Sequence, residues 1–292
     1  GGWALVSVWD MHPVGVPALM ALGMAAMGQS LFAIRMVGVI AVAATALAVH
    51  GAARAAGAPR PVALSAGLLS VAMSVLLGGL STGTEVLMAP FVAAAMAIAI
   101  RAASHALDRR AAPGWGSLAI MGLLVGWALV VKPVAFPMGC LAFALFVLPA
   151  WWKGGMGTLR ALAMALAYAL FCATPTLLLA FAYWLHGNLF EFIDGSFMAP
   201  YRYSGDRVPL AEAAKQTGIA LLILLGPVVA TVAAFTWREA LRGWFGRTAL
   251  MGLLWLAATS VAIIGPGMYY QHYFLLWLPP LALLAALGAW RL

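Results

Sequence analysis

Long apolar runs alternate with short polar connectors along this chain, and most of the runs are long enough to cross a membrane. A spanning helix needs about 20 mostly apolar residues. Nine segments meet or approach that length: 31–50, 62–80, 86–103, 116–131, 134–150, 159–185, 217–236, 248–265 and 273–290. Each predicts a spanning helix. The stretch 14–28 is apolar too, but short and led by Pro13, which predicts an interfacial or re-entrant helix. Pro175, Pro227, Pro279 and Pro280 fall inside predicted spans. In a bundle, neighbouring helices can satisfy the carbonyls that proline frees.

Composition changes this picture little. The 292 residues are 65% hydrophobic and 8% charged, with a mean hydropathy of +1.02. Soluble domains carry about 25% charged residues and roughly 45–50% apolar ones. The expectation is an all-α, polytopic transmembrane bundle forming one domain over 1–292: outer loop 1–30, spans 31–185, outer loop 186–216, spans 217–290. Interfacial helices are expected in the outer loops. Cys140 and Cys172 lie in apolar segments and read as buried structural thiols, leaving the redox compartment open.

Charge adds orientation. The net charge is +8, but the basic residues sit in connectors, where they act as topology signals rather than as a nucleic-acid surface. The connectors 51–61, 101–115, 151–158 and 237–247, the tail after 290, and Arg160 just inside its helix hold 11 of the 16 Lys and Arg residues. The positive-inside rule makes this set cytoplasmic. The other set carries Arg35, Lys132, Arg202, Arg207 and Lys215, with six of the eight acids: Asp10, Glu85, Glu191, Asp194, Asp206 and Glu212. A polar site on the outer face would explain that excess. Loop 186–216 alone holds four of those acids, so loop size explains much of it as well. In this loop NLFEFIDGSFM puts Leu189, Phe190, Ile193 and Phe197 largely on one helical face, suited to lying on the membrane surface. Anchoring and substrate contact carry equal weight for it.

Ionisable groups near hydrocarbon are costly and mark functional sites by default, whereas those at helix ends can snorkel to water. Asp10 and His12, in WDMHPVG, precede a proline suited to a helix start. Capping would explain the aspartate but not the histidine beside it. Glu85 follows Thr82 at capping-box spacing, a structural role compatible with a site role. Lys132 ends an outward helix before Pro133; snorkelling and an anion site at the outer interface are equally weighted. His272 lies among Tyr269, Tyr270, Tyr273 and Trp277 and reads, on composition, as part of an aromatic belt. Arg35 snorkels. His12, His186 and His272 with nearby acids could hold a divalent metal, but no ligand spacing supports one. There is no Gly-rich phosphate loop with a lysine and no serine-nucleophile motif.

Several of these pieces resemble, in order, one family. WDMHPVG resembles the D-x-H-P-P or D-x-K-P-P-G signature of polyprenyl-phosphate-sugar-dependent glycosyltransferases, the dolichyl-phosphate-mannose–protein mannosyltransferase-like members of the GT-C superfamily. SLFAIRMVG resembles F-A-x-R-L opening a span, and STGTEVLMAPF is similar to the N-T-E-P segment. GLLVGWALVVKPVAF resembles G-L-A-x-L-T-K-G-P-V-A, and YYQHYFLLWLPPLALLAA resembles a late H-Y-x-L-x-x-x-P-P-L-A-L-L-A run. Val14 stands where a second proline is usual, and Gly83 and Val86 where asparagine and proline are usual. The family's catalytic aspartate lies earlier in the first outer loop, after a first span. The chain is therefore expected to be a fragment whose base lies upstream of Gly1; otherwise Asp10 would serve, or the protein is inactive.

The resemblance implies transfer of a sugar from a polyprenyl phosphate to an acceptor hydroxyl, with inversion, on the extracytoplasmic face. Ala- and Gly-rich helices point to a bacterial inner membrane. The acceptor, whether glycan, lipid or protein, is open. No cofactor is implied, because the donor carries its own phosphate. On this reading Lys132 binds the lipid phosphate, with Arg202 and Arg207 as further cations. Asp10 and His12 orient the acceptor or sugar, Glu85 supports them, and His272 approaches the phosphate. A transporter or flippase of lipid-linked sugars is the main alternative. Transporters place broken helices and charges near the midplane, often in repeats. Here the notable charges cluster at one face and no repeat is visible.

Overall fold

The computed structural model describes residues 4–7, 13–109, 111–203, 207–236 and 242–291. Its regular elements are helices. They are α1 (Gly15–Met27), α2 (Leu31–Ala55), α3 (Arg60–Ser74), α4 (Thr84–Arg109), α5 (Trp115–Val131), α6 (Phe136–Trp152) and α7 (Thr158–Leu185). Then follow α8 (Leu189–Ile193), α9 (Ala199–Tyr203), α10 (Leu210–Ile223), α11 (Leu225–Ala234), α12 (Gly243–Ile264) and α13 (Leu278–Arg291). Short 3-10 stretches, Pro133–Ala135 and Gln271–Trp277, lead into α6 and α13.

All nine apolar segments are helical over most of their length, but among the described residues six helical stretches are long and apolar enough to span a membrane, or seven if α10 and α11 count as one broken span. The expected helix over 217–236 bends by 78° between α10 and α11. One other is shorter than the hydrophobic pattern suggested, while α5 ends where that pattern placed its end. α3 stops at Ser74, before a turn that holds Gly78 at φ +80°. α5 stops where Lys132 takes an extended conformation, φ −157° and ψ 122°. Pro133 causes this, because its ring crowds the residue before it out of the helical region. Pro175 lies inside α7 as expected. Pro227, Pro279 and Pro280 instead occupy first turns of α11 and α13, where a missing N–H has no intrahelical partner to lose.

α4 and α13 form the centre. α4 packs on α2, α5 and α6, and α13 on α3, α11 and α12. Of the most apolar window, 83% is buried in the stretch Gln271–Arg291 that ends in α13, against 17% in α7 at the periphery. Close packing rests on small residues, as is usual where lipid gives no hydrophobic drive between helices. A β-carbon on Gly126 of α5 would lie 2.5 Å from the carbonyl oxygen of Cys172 on α7. Cys140 departs from expectation: its helix face turns outward and leaves it exposed, while Cys172 is half-buried, and both thiols are free.

Contacts between connectors sort the bundle into two ends. At one end Arg247 makes two hydrogen bonds to Asp108, at 2.7 and 2.8 Å. Arg160 donates to the Pro113 carbonyl, Gly57 abuts Trp244, and Arg291 lies over the Phe245 ring. These residues join all the connectors read as cytoplasmic except 151–158, which Arg160 borders directly. At the other end Thr82 donates to the Ile34 carbonyl, Gln271 to Gln216, and Arg207 to the Gly265 carbonyl. The alternation in charge is thus matched by a physical partition.

Loop 186–216 folds over that second end. Phe192 is buried against Tyr183, while Phe190, Ile193 and Phe197 stay exposed, as a membrane-facing surface requires. Leu5 and Val14 join the same cluster, and the Tyr183 hydroxyl donates to the Ala4 carbonyl at 2.8 Å. The N-terminal segment and loop 186–216 therefore pack on each other.

Candidate functional site

The first turn of α4 carries Glu85, and its sequence had two readings. Capping is not what the carboxylate does. Leu87 N–H bonds the Gly83 carbonyl, making Gly83 the helix cap, and the Thr82 hydroxyl is directed to Ile34 on α2. Glu85 is left to face the interior, 2% exposed. A buried carboxylate needs partners. One oxygen accepts from the Thr84 hydroxyl at 2.7 Å, and the other forms an ion pair with the Lys132 ammonium.

Lys132 reaches this position because α5 ends beside it. Its backbone N–H closes the last turn on Ala128, and the extended conformation before Pro133 turns the side chain out of the helical path. The side chain is 12% exposed, so it does not snorkel freely to water. Its ammonium also sits 3.9 Å from the centre of the Tyr273 ring. That distance is well inside the roughly 6 Å reach of a cation–π contact.

Tyr273 comes from a distant part of the chain. The turn before it holds Gly267 at φ +74° and Tyr269 at φ +51°. The second is unusual for a bulky residue and marks a sharply constrained backbone. Beyond it His272 stacks on Tyr270, with ring centres 5.6 Å apart, and meets Tyr273 edge-on at 4.9 Å. The Tyr273 ring is 7% exposed. It is therefore a buried partner of Lys132 rather than part of a lipid-facing belt. Its position beside His272 was the only sequence signal for it. Below Glu85, a narrow cleft of about 30 Å³ runs between α2, α3, α4 and the start of α13, past Thr45, Ser70 and Ser74.

The remaining expected residues divide. Asp10 and His12 lie outside the described residues. The chain just after them is tied to this end of the bundle: a β-carbon on Gly15 would fall 2.6 Å from the backbone of Val130 and Val131, directly before Lys132. Arg202 is paired with Asp194 on the exposed loop, at 2.9 Å. Arg207 donates to the Gly265 carbonyl at 3.3 Å and lays its stem on Gly267. It thus braces the turn that presents His272 and Tyr273. Among the described residues no group of three His, Cys, Asp or Glu side chains is placed to hold a metal ion.

The structure therefore brings together Glu85, Lys132 and, through Tyr273, His272. Such a cluster offers a fixed cation, a carboxylate and aromatic faces at the edge of the hydrocarbon. That combination suits an amphiphilic anion with polar hydroxyl groups. The family model for dolichyl-phosphate-mannose-protein mannosyltransferase matches residues 11–186, more than half of the chain, and the matched stretch includes His12, Glu85 and Lys132. No curated protein and no solved structure matches the chain.

Proposed function

Since the chain belongs to the dolichyl-phosphate-mannose-protein mannosyltransferase family and is a membrane glycosyltransferase of the mannosyltransferase type, we propose that it takes its sugar from a polyprenyl phosphate. The site we assign to this reaction is the Glu85–Lys132–Tyr273 cluster. Residues 1–292 act in it as one domain, in a bacterial inner membrane, with the cluster on the extracytoplasmic side. The observation that carries this reading is a buried lysine held between a carboxylate and an aromatic face, at the end of the bundle away from the basic connectors.

In the reaction the acceptor hydroxyl attacks the anomeric carbon from the side opposite the phosphate, inverting it. The C–O bond to the phosphate breaks, and a carboxylate takes the hydroxyl proton. Negative charge grows on the departing lipid phosphate. Lys132 faces that charge, and a cation already fixed in place stabilises it without reorganisation. Glu85 holds the ammonium in position, and Tyr273 covers it on another side. His272 approaches the phosphate or sugar from the same turn. Asp10 and His12 orient the acceptor or the sugar hydroxyls, and Arg202 and Arg207 are further cations toward the donor. The donor's lipid tail stays in the bilayer, which suits a site at the membrane boundary. The acceptor is a glycan, a lipid or a protein.

The test is binding of radiolabelled polyprenyl phosphate to the purified chain, followed by sugar transfer from the glycosylated donor in proteoliposomes. Lys132→Ala is expected to weaken donor use more than Lys132→Arg. Equal donor use by the two variants removes Lys132 from the site. Movement of the lipid-linked sugar across the bilayer without transfer would identify a flippase instead.

A further inference from the structure

A cavity lies at the opposite end of the bundle from the Glu85–Lys132 pair. It encloses about 390 Å³ between the C-terminal part of α4 and the N-terminus of α5. Arg101 and His105, one turn apart on α4, line one wall. Gly114, the N-cap of α5, and Ser117 of its first turn line another, with Ile98 and Phe146 among the apolar lining. Among the described residues no acidic side chain lines it. The neighbouring cations differ in their commitments. Arg247 is engaged by Asp108, and Arg160 donates to the carbonyl of Pro113 on the rim. Arg101 makes no ion pair with a described residue.

The helix end adds to the cations. No side chain caps α5 at Gly114. Its first N–H groups have no intrahelical acceptor, and the aligned peptide dipoles make that end attractive to anions. A guanidinium, an imidazole, a hydroxyl and the uncapped start of α5 thus line one cavity. A phosphate has the matching oxygens, and arginine can bind it through two parallel hydrogen bonds.

We propose that this cavity binds the phosphate of an anionic lipid headgroup at the membrane face that carries the basic connectors. Two features favour a lipid over a free phosphate. The wall beneath the cations is apolar, which suits the glycerol and upper acyl region of a lipid. The cavity also sits where the apolar helix α4 ends and α5 begins, with their short connector 111–114 as one side. Basic pockets of this kind between transmembrane helices retain anionic lipids. This site is separate from the proposed donor site and does not depend on it.

The experiment uses the purified full chain. Thermal unfolding and native mass spectrometry are recorded with added phosphatidylglycerol, phosphatidylcholine or millimolar inorganic phosphate. Retention of phosphatidylglycerol over phosphatidylcholine is expected, with affinity lowered roughly fivefold by Arg101→Gln and further by Arg101→Gln with His105→Gln. Arg60→Gln, a basic residue on the same face outside the cavity, should retain full binding. An equal loss in Arg60→Gln would mean diffuse charge rather than a site, and would overturn the proposal. So would equal retention of the two lipids, or displacement of the lipid by inorganic phosphate. Unchanged lipid-free unfolding of each variant shows that the loss is not one of folding.

Discussion

Breaking the Glu85–Lys132 pair one side at a time should cost more than removing both sides. Glu85 and Lys132 are 2% and 12% exposed, so neither charge can recover its hydration by rotating into water. At about 4 Å and an effective dielectric near 20, their attraction is about 4 kcal/mol, and desolvation of each ion offsets several kcal/mol of that. The net worth of the pair is therefore small. Removal of one partner is different: it leaves a buried charge uncompensated, at a cost of roughly 3–5 kcal/mol. Glu85→Gln or Lys132→Met alone should lower the unfolding temperature by on the order of 10 °C. The double variant should recover most of that loss, because no bare charge remains and a methionine can fill the lysine's volume. Fluorescence-detected unfolding of the three purified variants in one detergent measures this. Donor binding, assayed in parallel, should stay lost in the double variant although stability returns. Losses that simply add would refute the coupling. Recovery of donor binding together with stability would refute a direct role for the lysine.

Three further expectations follow from the same contacts. Tyr273→Phe keeps the ring beside Lys132 and should preserve donor binding, whereas Tyr273→Ala should weaken it by about tenfold, the loss of a desolvated cation–π contact of up to ~2 kcal/mol; equal binding by both would show the ring is not needed. Gly126→Leu forces a side chain into the Cys172 backbone and should destabilise by about 1–3 kcal/mol, read as a lower unfolding temperature, while Gly157→Leu, with nothing near it, should not. In a chain lacking its native cysteines, a membrane-impermeant thiol reagent applied to intact cells should label Asn188→Cys and spare Lys153→Cys; the reverse pattern would invert the orientation.

The hydrophobic pattern is a one-dimensional signal, and it determined what such a signal can. The nine apolar segments are helical over most of their length, because each is too long and too greasy for another structure in lipid. The two faces were legible in the placement of Arg and Lys, since connectors alternate by necessity once the spans are assigned. Lys132 and Glu85 stood out because charge is rare in such a chain. Tertiary structure decided the rest. Lys132 and Glu85 lie far apart in sequence, and Tyr273 much farther, so only packing of α4 against α5 and the 3-10 turn could bring them to one point. The same holds for Thr82, whose hydroxyl reaches α2 instead of capping its own helix. The break between α10 and α11 falls within a continuous apolar run, where Pro227 alone did not tell a kink from a bend of 78°. The cavity beside Arg101 was equally hidden, because a space between two helices is a property of neither helix's sequence.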